Sequence, residues 1–564
     1  MTIIDINEQL KIELEKIIKT SCLLSSNTEF NQEIKYAIVV DEYCLERFKL
    51  FDYNDLKSIG ILSLHVLASS YNKIDKSYDC VLFFLEPIIN NIRLINAFLE
   101  MIDDEIKLKL DCHLIFTCGH LSKTLTDCID IFENKVNKIY YHQILLGLYN
   151  HDPDVILLNN NYYYEINMID HLTEMGEIIS HFFNKFDIKN NTITAIGKNS
   201  VSISGRLAKS LVENSVDLNT EDIYSTILVD RDCDLSSLMR LQTSCGGLVD
   251  EVFGCPKSKE IKVNIQNTVS EDNSQEKVVL INKFSHIYKS IQYMDMTQAG
   301  KEIKRKIIEI REKIESINGK IITLTTLTDD DKKFFKNLIN NKREYQNLIL
   351  ILTEIIEREH NNNYTLKIEI EELIMNSLQF NFGIVDKIIN LATSGDLISA
   401  IRYLILYSQQ NGGFSNDDCV KLVDNNIKLQ FTEWPILLRY LKQQGIIKKA
   451  NIKTYLLNLI SNVTIKRTNR YLFANIIKAN TTNEIINITQ QTGNIVHSKI
   501  TIDSNENCVK NNIILIVMDG ITIDEIKEIR SMAEKSCKKV IIITNNIITA
   551  SCYINKIRMT VINS

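Results

Sequence analysis

Short apolar strands alternate with helices through the first 254 residues of this chain. The pattern gives way to nearly unbroken helical periodicity from about Lys283 to Ile447, then returns near the end. Strands alternating with helices of this length build βαβ units and parallel sheets. The expected early strands are Tyr36–Val40, Ile61–Val66, Val81–Leu85 and His113–Phe116. Between and after them fall a short helix at Tyr53–Ser58 and helices at Ile88–Met101 and Ser122–Ile131. A second α/β region follows. Val155–Leu158 is apolar, Tyr162–Phe183 continues into a helix, Thr192–Ile196 is a strand, Gly205–Glu213 a helix and Thr226–Val229 a strand. At the far end come a strand at Ile513–Met518, a helix at Thr522–Lys535 and a strand at Val540–Thr544. The simplest architecture lets this last unit complete the sheet begun at 155–254, with the helices inserted between two halves of one domain. A separate C-terminal domain is the alternative.

The expected fold class is therefore α/β with a large all-α insertion. Domain 1 is expected at 1–142, domain 2 at 143–254 plus 472–564, and a mostly helical domain 3 at 255–471. A length of 564 residues is too great for one core. Hydrophobic content of 45% and charged content of 24% are ordinary for a globular protein, and a net charge of −7 offers nucleic acid no bulk attraction. The thirteen cysteines are scattered, many of them in apolar strands, which fits reduced thiols in a cytosolic protein. The N-terminus is acidic, lacks the form of a signal peptide, and places Leu10, Leu14 and Ile17 on one helical face. The longest apolar run, Ile513–Met518, is far too short to span a membrane.

The helical region holds the clearest periodic element. Ile303, Ile307, Ile310, Ile314 and Ile317 step by 4, 3, 4, 3, which is a coiled-coil-like seam. A second helix is expected over Asp331–Glu359, with Leu338, Tyr345, Leu348, Leu352 and Ile355 at matching spacing. Together they read as an antiparallel hairpin at about 297–359, its tip near Asn318–Asp330. Seven basic residues lie between 301 and 320 against four glutamates. Such a run is either a solvated face or a surface for acidic amphipathic helices.

The stretch with most charge at a strand end is TILVDRDCDLSSLMRLQTSCGGLVDEVFG, Thr226–Gly254. Its Asp230, Arg231, Asp232 and Asp234 sit where parallel sheets place working groups. Three carboxylates suit a hard cation, but Arg231 among them points to internal ion pairing. Gly197-Lys198 follows a strand, yet a phosphate loop would need glycine at position 192 and Ser or Thr at 199, where Thr192 and Asn199 stand. No nucleophile elbow or zinc-protease motif occurs. Cys112-His113 with Cys118 and His120 is the nearest approach to a metal set, and strand alternation sends the first two to opposite faces. No catalytic residue, cofactor site or metal site is assigned.

This stretch resembles the signature of the SM (Sec/Munc-like) family of SNARE regulators. In that family an apolar strand leads into Asp-Arg-x-x-Asp-Leu, then a Gln, then Gly-Leu-x-Asp-Glu. Those positions are Asp230, Arg231, Asp234, Leu235, Gln242, Gly247, Leu248, Asp250 and Glu251. Leu238 stands where the family has proline and Cys245 where it has tyrosine. VLFFLEPIINNIRLI (81–95) is similar to the family's strand ending in Arg-Pro, with Glu86 in place of the basic residue. IILIVMDGITIDEIKEIR (513–530) resembles its C-terminal motif, with Gly520, Thr522, Glu525 and Arg530 in place and Asp519 replacing a glycine. VIIITNNIITA (540–550) is similar to the family's final strand and turn, and 397–447 resembles the class C vacuolar type.

The resemblance implies a three-domain arch and a non-enzymatic chaperone of SNARE assembly. It implies syntaxin-type and R-type SNARE helices held by the hairpin, with Lys301, Lys304, Arg305, Ile308 and Arg311 as the expected contact face. It gives Asp230, Arg231, Asp234, Gly247, Asp250 and Glu251 a structural role. For a class C member it also implies HOPS or CORVET tethers, a large β-propeller and α-solenoid partner subunit, and indirect recruitment to endosomal, lysosomal or vacuolar membranes. The alternatives are an SM protein of another trafficking step that binds a syntaxin directly, and, in another class, a nucleotide- or metal-dependent α/β enzyme.

Overall fold

The computed structural model describes 36–41, 61–67, 80–85, 89–100, 110–116, 136–143, 148–158, 168–186, 188–213, 223–253, 260–266, 274–280, 285–318, 329–361, 364–376, 383–411, 413–424, 434–443, 446–447, 471–490, 496–501 and 511–563, with a few single residues before Leu67. The expected helix at Ser122–Ile131, 319–328 of the hairpin tip, Glu86-Pro87 and most of the N-terminal helix lie outside the described residues. The chain forms two compact units. One is Met1–Asp230 with Val496–Met518 and Lys539–Asn546, and the other is Arg231–Ile495 with Asp519–Lys538 and Ile547–Ser564.

The first unit contains two sheets. In chain order, the first is built from β1 (Tyr36–Val40), β2 (Ile61–Val66), β3 (Cys80–Leu85), β4 (Asp111–Phe116) and β5 (Lys138–Gln143), with helix α1 (Ile89–Glu100) after β3. Its order is β2-β1-β3-β4-β5 and every pair is parallel. β1, β3 and β4 are buried along their whole length, which is why they read as continuous apolar runs rather than alternating ones. Phe83 of β3 meets Phe98 of α1 edge to face at 5.4 Å, which anchors the helix on the sheet.

The second sheet begins with β6 (Leu148–Asp152) and β7 (Val155–Leu158), then helix α2 (Met168–Lys185), β8 (Lys189–Ile196), helix α3 (Lys198–Glu213) and β9 (Ile223–Asp230). The second unit then supplies helix α4 (Cys245–Phe253), the strands β10 (Glu260–Gln266) and β11 (Ser274–Leu280), and helices α5 (Met296–Asn318), α6 (Asp329–Asn361), α7 (Tyr364–Asn376), α8 (Ile384–Thr393), α9 (Leu397–Asn411) and α10 (Leu472–Lys478). The chain ends through β12 (His497–Thr501), β13 (Asn512–Met518), helix α11 (Ile523–Lys535), β14 (Lys539–Thr544) and helix α12 (Ala550–Asn563).

Strand order in the second sheet is β12-β8-β9-β13-β14-β7-β6. β13 lies parallel between β9 and β14, Leu515 opposite Ile227 and Ile542. The last strands thus enter the sheet begun before the helical region. The two outer strands, β12 and β6, run antiparallel to their neighbours. Neither was expected from the sequence. LYNHD and HSKIT carry too few apolar residues for a strand signal, and edge position is what tolerates that. The antiparallel β10–β11 ribbon, which precedes the helical periodicity expected from about Lys283, was missed as well.

In the second unit the hairpin seam is real. Ile303 and Ile310 of α5 are buried with Leu338, Tyr345, Leu348, Leu352 and Ile355 of α6 in one core, and Ile307 and Ile314 pack at its margin. Val263 and Val279 of the ribbon and Leu248 and Val249 of α4 join the same core. A second core gathers Ile370 and Ile374 of α7, Ile384, Val385 and Ile388 of α8, Tyr403 and Leu404 of α9, and Ile554 of α12.

Candidate functional site

The signature segment divides its charges between two tasks. Asp230 ends β9 and receives the first turn of α3. Asn199 N–H donates to its Oδ2 at 2.9 Å, Ser200 N–H to its Oδ1 at 2.8 Å, and the Ser200 hydroxyl to Oδ1 at 2.6 Å. A helix N-terminus is a ready anion site, and here the chain's own carboxylate fills it. Gly197 precedes it with φ of 105°, and a Cβ there would fall 2.3 Å from Asp230 Oδ2. The Gly-Lys turn after β8 is therefore closed around a carboxylate. This carboxylate also explains why α3 starts at Lys198 rather than at Gly205, as the sequence suggested.

Arg231 is fully buried, and its main partner is a residue the local charge pattern does not reveal. Its Nη1 donates to both oxygens of Glu525, each at 2.9 Å, while Nη2 donates to the Asp234 carbonyl. The Asp234 carboxylate stands 3.8 Å away, and the Phe473 ring lies 4.6 Å from the guanidinium carbon. The ion pairing expected around Arg231 includes Asp234 but centres on Glu525. Arg231 reaches Glu525, and Asp230 serves α3. Glu525 closes a capping box on α11, accepting from Thr522 N–H at 2.9 Å while its own N–H donates to the Thr522 hydroxyl at 3.1 Å. Burial pushes the Glu525 carboxyl up, and Arg231 is the largest influence holding it down.

Asp234 caps the turn Leu235–Leu238 through Ser237 N–H and also accepts from Leu472 N–H at 3.2 Å, at the start of α10. Beside Glu525, Asp524 accepts from Thr243 N–H at 2.6 Å and Ser244 N–H at 3.1 Å. Gly247 is buried on α4, where a Cβ would approach Gln242 Oε1 to 2.8 Å and Ser244 Oγ to 2.9 Å, so the signature glycine answers to close packing. Asp250 is buried on the same helix. Glu251 pairs with Arg402 of α9 at 2.6 Å and accepts from the Ser551 hydroxyl at 2.8 Å. Arg402 also donates to the carbonyls of Met239 and Arg240. Nothing in the spacing of the sequence marks Arg402 as a partner. Arg530 stacks over the Tyr293 ring at 4.3 Å. Asp230, Arg231, Asp234 and Glu251 are each directed at another part of the chain, which is the chemistry of a lock.

At the other candidates the geometry is plain. Cys112 sits in the apolar core of the first sheet. His113, its neighbour, turns to His142, with Nδ1 and Nε2 2.8 Å apart, and stacks on Tyr140. Burial pushes the His113 imidazole down to about 3. Cys118 and His120 lie outside the described residues, among which no cluster of three or more His, Cys, Asp or Glu is grouped to hold a metal.

On the hairpin, Lys301, Lys304, Arg305, Ile308 and Arg311 all face solvent. Their charges are not equally available. Arg305 bridges Glu302 and Glu309, Lys306 pairs with Glu309, and Arg311 with Glu315. Hydrogen bonds from Arg305 and from Lys306 hold the Glu302 and Glu309 carboxyls, respectively, below the usual range. Lys301 and Lys304 form no ion pair among the described residues. Apolar side chains also stand out in water: Ile308 is 47% exposed on α5, and Ile349 and Ile356, one heptad apart on α6, are 42% and 62% exposed. The α6 pair escaped the sequence reading because isoleucine at helical spacing signals a core.

A sheet completed by strands from both sides of a helical region in the sequence, and a signature whose charges find partners within the chain, define an α/β fold with a large helical insertion. The chain belongs to the Sec1 family, whose model matches residues 36–556. A vacuolar protein-sorting-associated protein 33 homolog of Arabidopsis thaliana is 21% identical over 279 residues, 49% of this chain and 45% of that protein, so the match spans less than half of its length. The fold is similar to that of Sly1p, solved with an N-terminal peptide of Sed5p, at a TM-score of 0.68 and 15% identity over 98% of this chain and 99% of that one. The SM protein Vps45, solved with the Qa SNARE Tlg2, gives 0.65 at 12% identity over 96% and 97%. The Unc18–syntaxin 1 complex from Monosiga brevicollis gives 0.65 at 12% over 97% and 99%.

Proposed function

We propose that this chain is a scaffold that binds SNARE proteins and promotes or proofreads their assembly in vesicle docking and fusion. The observation that carries this reading is membership of the Sec1 family across 36–556. The hairpin supports it physically. Exposed Ile308, Ile349 and Ile356, together with exposed Lys301 and Lys304 on the same hairpin, suit an amphipathic helix with acidic flanks. Holding one helix in place removes orientational freedom from the encounter with the next, as positioned reactants do in catalysis. The contact face is proposed to include Lys301, Lys304, Arg305, Ile308 and Arg311. The three-domain division at 1–142, 143–254 with 472–564, and 255–471 belongs to the same proposal.

The finer reading places the chain in a HOPS- or CORVET-type tether at endosomal, lysosomal or vacuolar membranes. What supports it is the similarity to the Arabidopsis thaliana vacuolar protein and the class C character of 397–447. A large β-propeller and α-solenoid subunit is then its permanent partner. Among the described residues no helix is long and apolar enough to cross a membrane, so on this reading recruitment runs through that partner. Affinity purification from the native cell tests both levels. Co-purification of SNAREs with tether subunits supports the whole reading. A lone syntaxin-type SNARE without tether subunits supports the scaffold and sinks the tether assignment.

A further inference from the structure

At the base of the hairpin an open groove of about 510 Å³ lies between the first turn of α5, α4 and the start of α7. Leu248 and Met296 supply its apolar lining, and Tyr364 lines it too. Thr297 and Lys301 stand on its rim and face solvent. Asp295 is the one carboxylate lining it, and its Oδ1 is taken by Gln298 N–H at 2.8 Å, as the cap of α5. Lys301, by contrast, has no ion-pair partner among the described residues, whereas Arg305, Lys306 and Arg311 further along the same helix are held by glutamates. Together with Lys304 one turn on, it puts the helix's uncommitted positive charge at the groove end rather than along the shaft. The N-terminal end of a helix as long as α5 adds positive partial charge of the same sign.

We infer that this groove receives a segment of the SNARE partner in which an apolar side chain lies next to a carboxylate, the apolar group on Leu248 and Met296 and the carboxylate on Lys301. The inference rests on the reading that SNAREs dock on the hairpin, and it adds a second anchoring point at the hairpin's base. The match is one of charge and shape together. A flexible thioether and an aromatic ring accommodate different apolar side chains, while a single unpaired ammonium selects for an acidic neighbour.

The test uses the full chain with a photo-crosslinking residue at Thr297 in one variant and at Ile356 in another. Each is mixed with a panel of purified cytosolic syntaxin-type SNARE fragments. The expected result is an adduct from Thr297 that maps to a peptide with Asp or Glu beside an apolar residue. Lys301→Glu should lower that adduct about fivefold, the scale of one exposed ion pair, and lower the Ile356 adduct less. Adducts from Ile356 alone would overturn the groove and leave the hairpin reading standing. A Thr297 adduct unaffected by Lys301→Glu would overturn the charge recognition. Adducts from neither position, with no complex on gel filtration, would overturn both.

Discussion

Two residues show how far a local charge pattern can mislead. Arg231 sits in sequence among three aspartates, yet its bidentate partner is Glu525, 294 positions downstream. Removing one partner of a fully buried pair leaves an uncompensated charge, so Arg231→Ala should cost about 3–5 kcal/mol in denaturant unfolding. Replacing the pair together, Arg231→Met with Glu525→Leu, should cost less than either single change. The pH dependence has a definite sign. Burial already raises the folded-state Glu525 carboxyl, and loss of Arg231 raises it further. A raised carboxyl favours the protonated fold, so the deficit of Arg231→Ala should be smallest where Glu525 is protonated in both folded proteins and grow as pH rises through its folded-state pKa, which lies above the ordinary carboxylate range. A deficit unchanged across that range would contradict the pairing. Asp230 allows a second check. Asp230→Ala uncaps α3 and should cost about 1–2 kcal/mol. Gly197→Ala should also destabilise, because its Cβ would meet the Asp230 carboxylate, and the two changes should be less than additive.

At the scale of elements, periodic apolar spacing made the hairpin legible. The seam Ile303, Ile307, Ile310 and Ile314 packs on Leu338, Tyr345, Leu348 and Leu352 as the spacing required. Strands buried on both faces, such as β3 and β13, were legible for a different reason, as continuous apolar runs. The edge strands β6 and β12 and the β10–β11 ribbon were not, since a strand paired on one side or packed by few side chains needs little apolar signal. Nor does composition tell an exposed isoleucine from a buried one. Ile349 and Ile356 look like core and stand in water. Ile349→Asp with Ile356→Asp should therefore leave unfolding within about 0.5 kcal/mol of the parent and weaken SNARE binding about tenfold or more. Charge reversal of Lys304 with Arg305 should weaken binding while folding is retained, read by circular dichroism beside a binding titration. Arg305 acts through its pairs with Glu302 and Glu309, so Lys304→Glu alone should account for most of the loss.

Across the whole molecule, the resemblance carried by Asp230, Arg231, Asp234 and the Gly247–Glu251 stretch was enough to place the chain in its family, and the family match over 36–556 bears that placement out. What the signature residues do was legible only in part, because their partners Glu525, Arg402 and Leu472 come from distant segments that only the folded chain gathers. The central claim is that these charges lock a scaffold whose recognition surface is the hairpin. The measurement that bears on it most directly is calorimetric titration of the full chain with a cytosolic syntaxin-type SNARE fragment, for the parent and for Ile349→Asp with Ile356→Asp. The account predicts binding at about micromolar strength or tighter for the parent, weakened about tenfold or more in the variant. Equal affinity in the two proteins, or no heat with any SNARE tried, would contradict it.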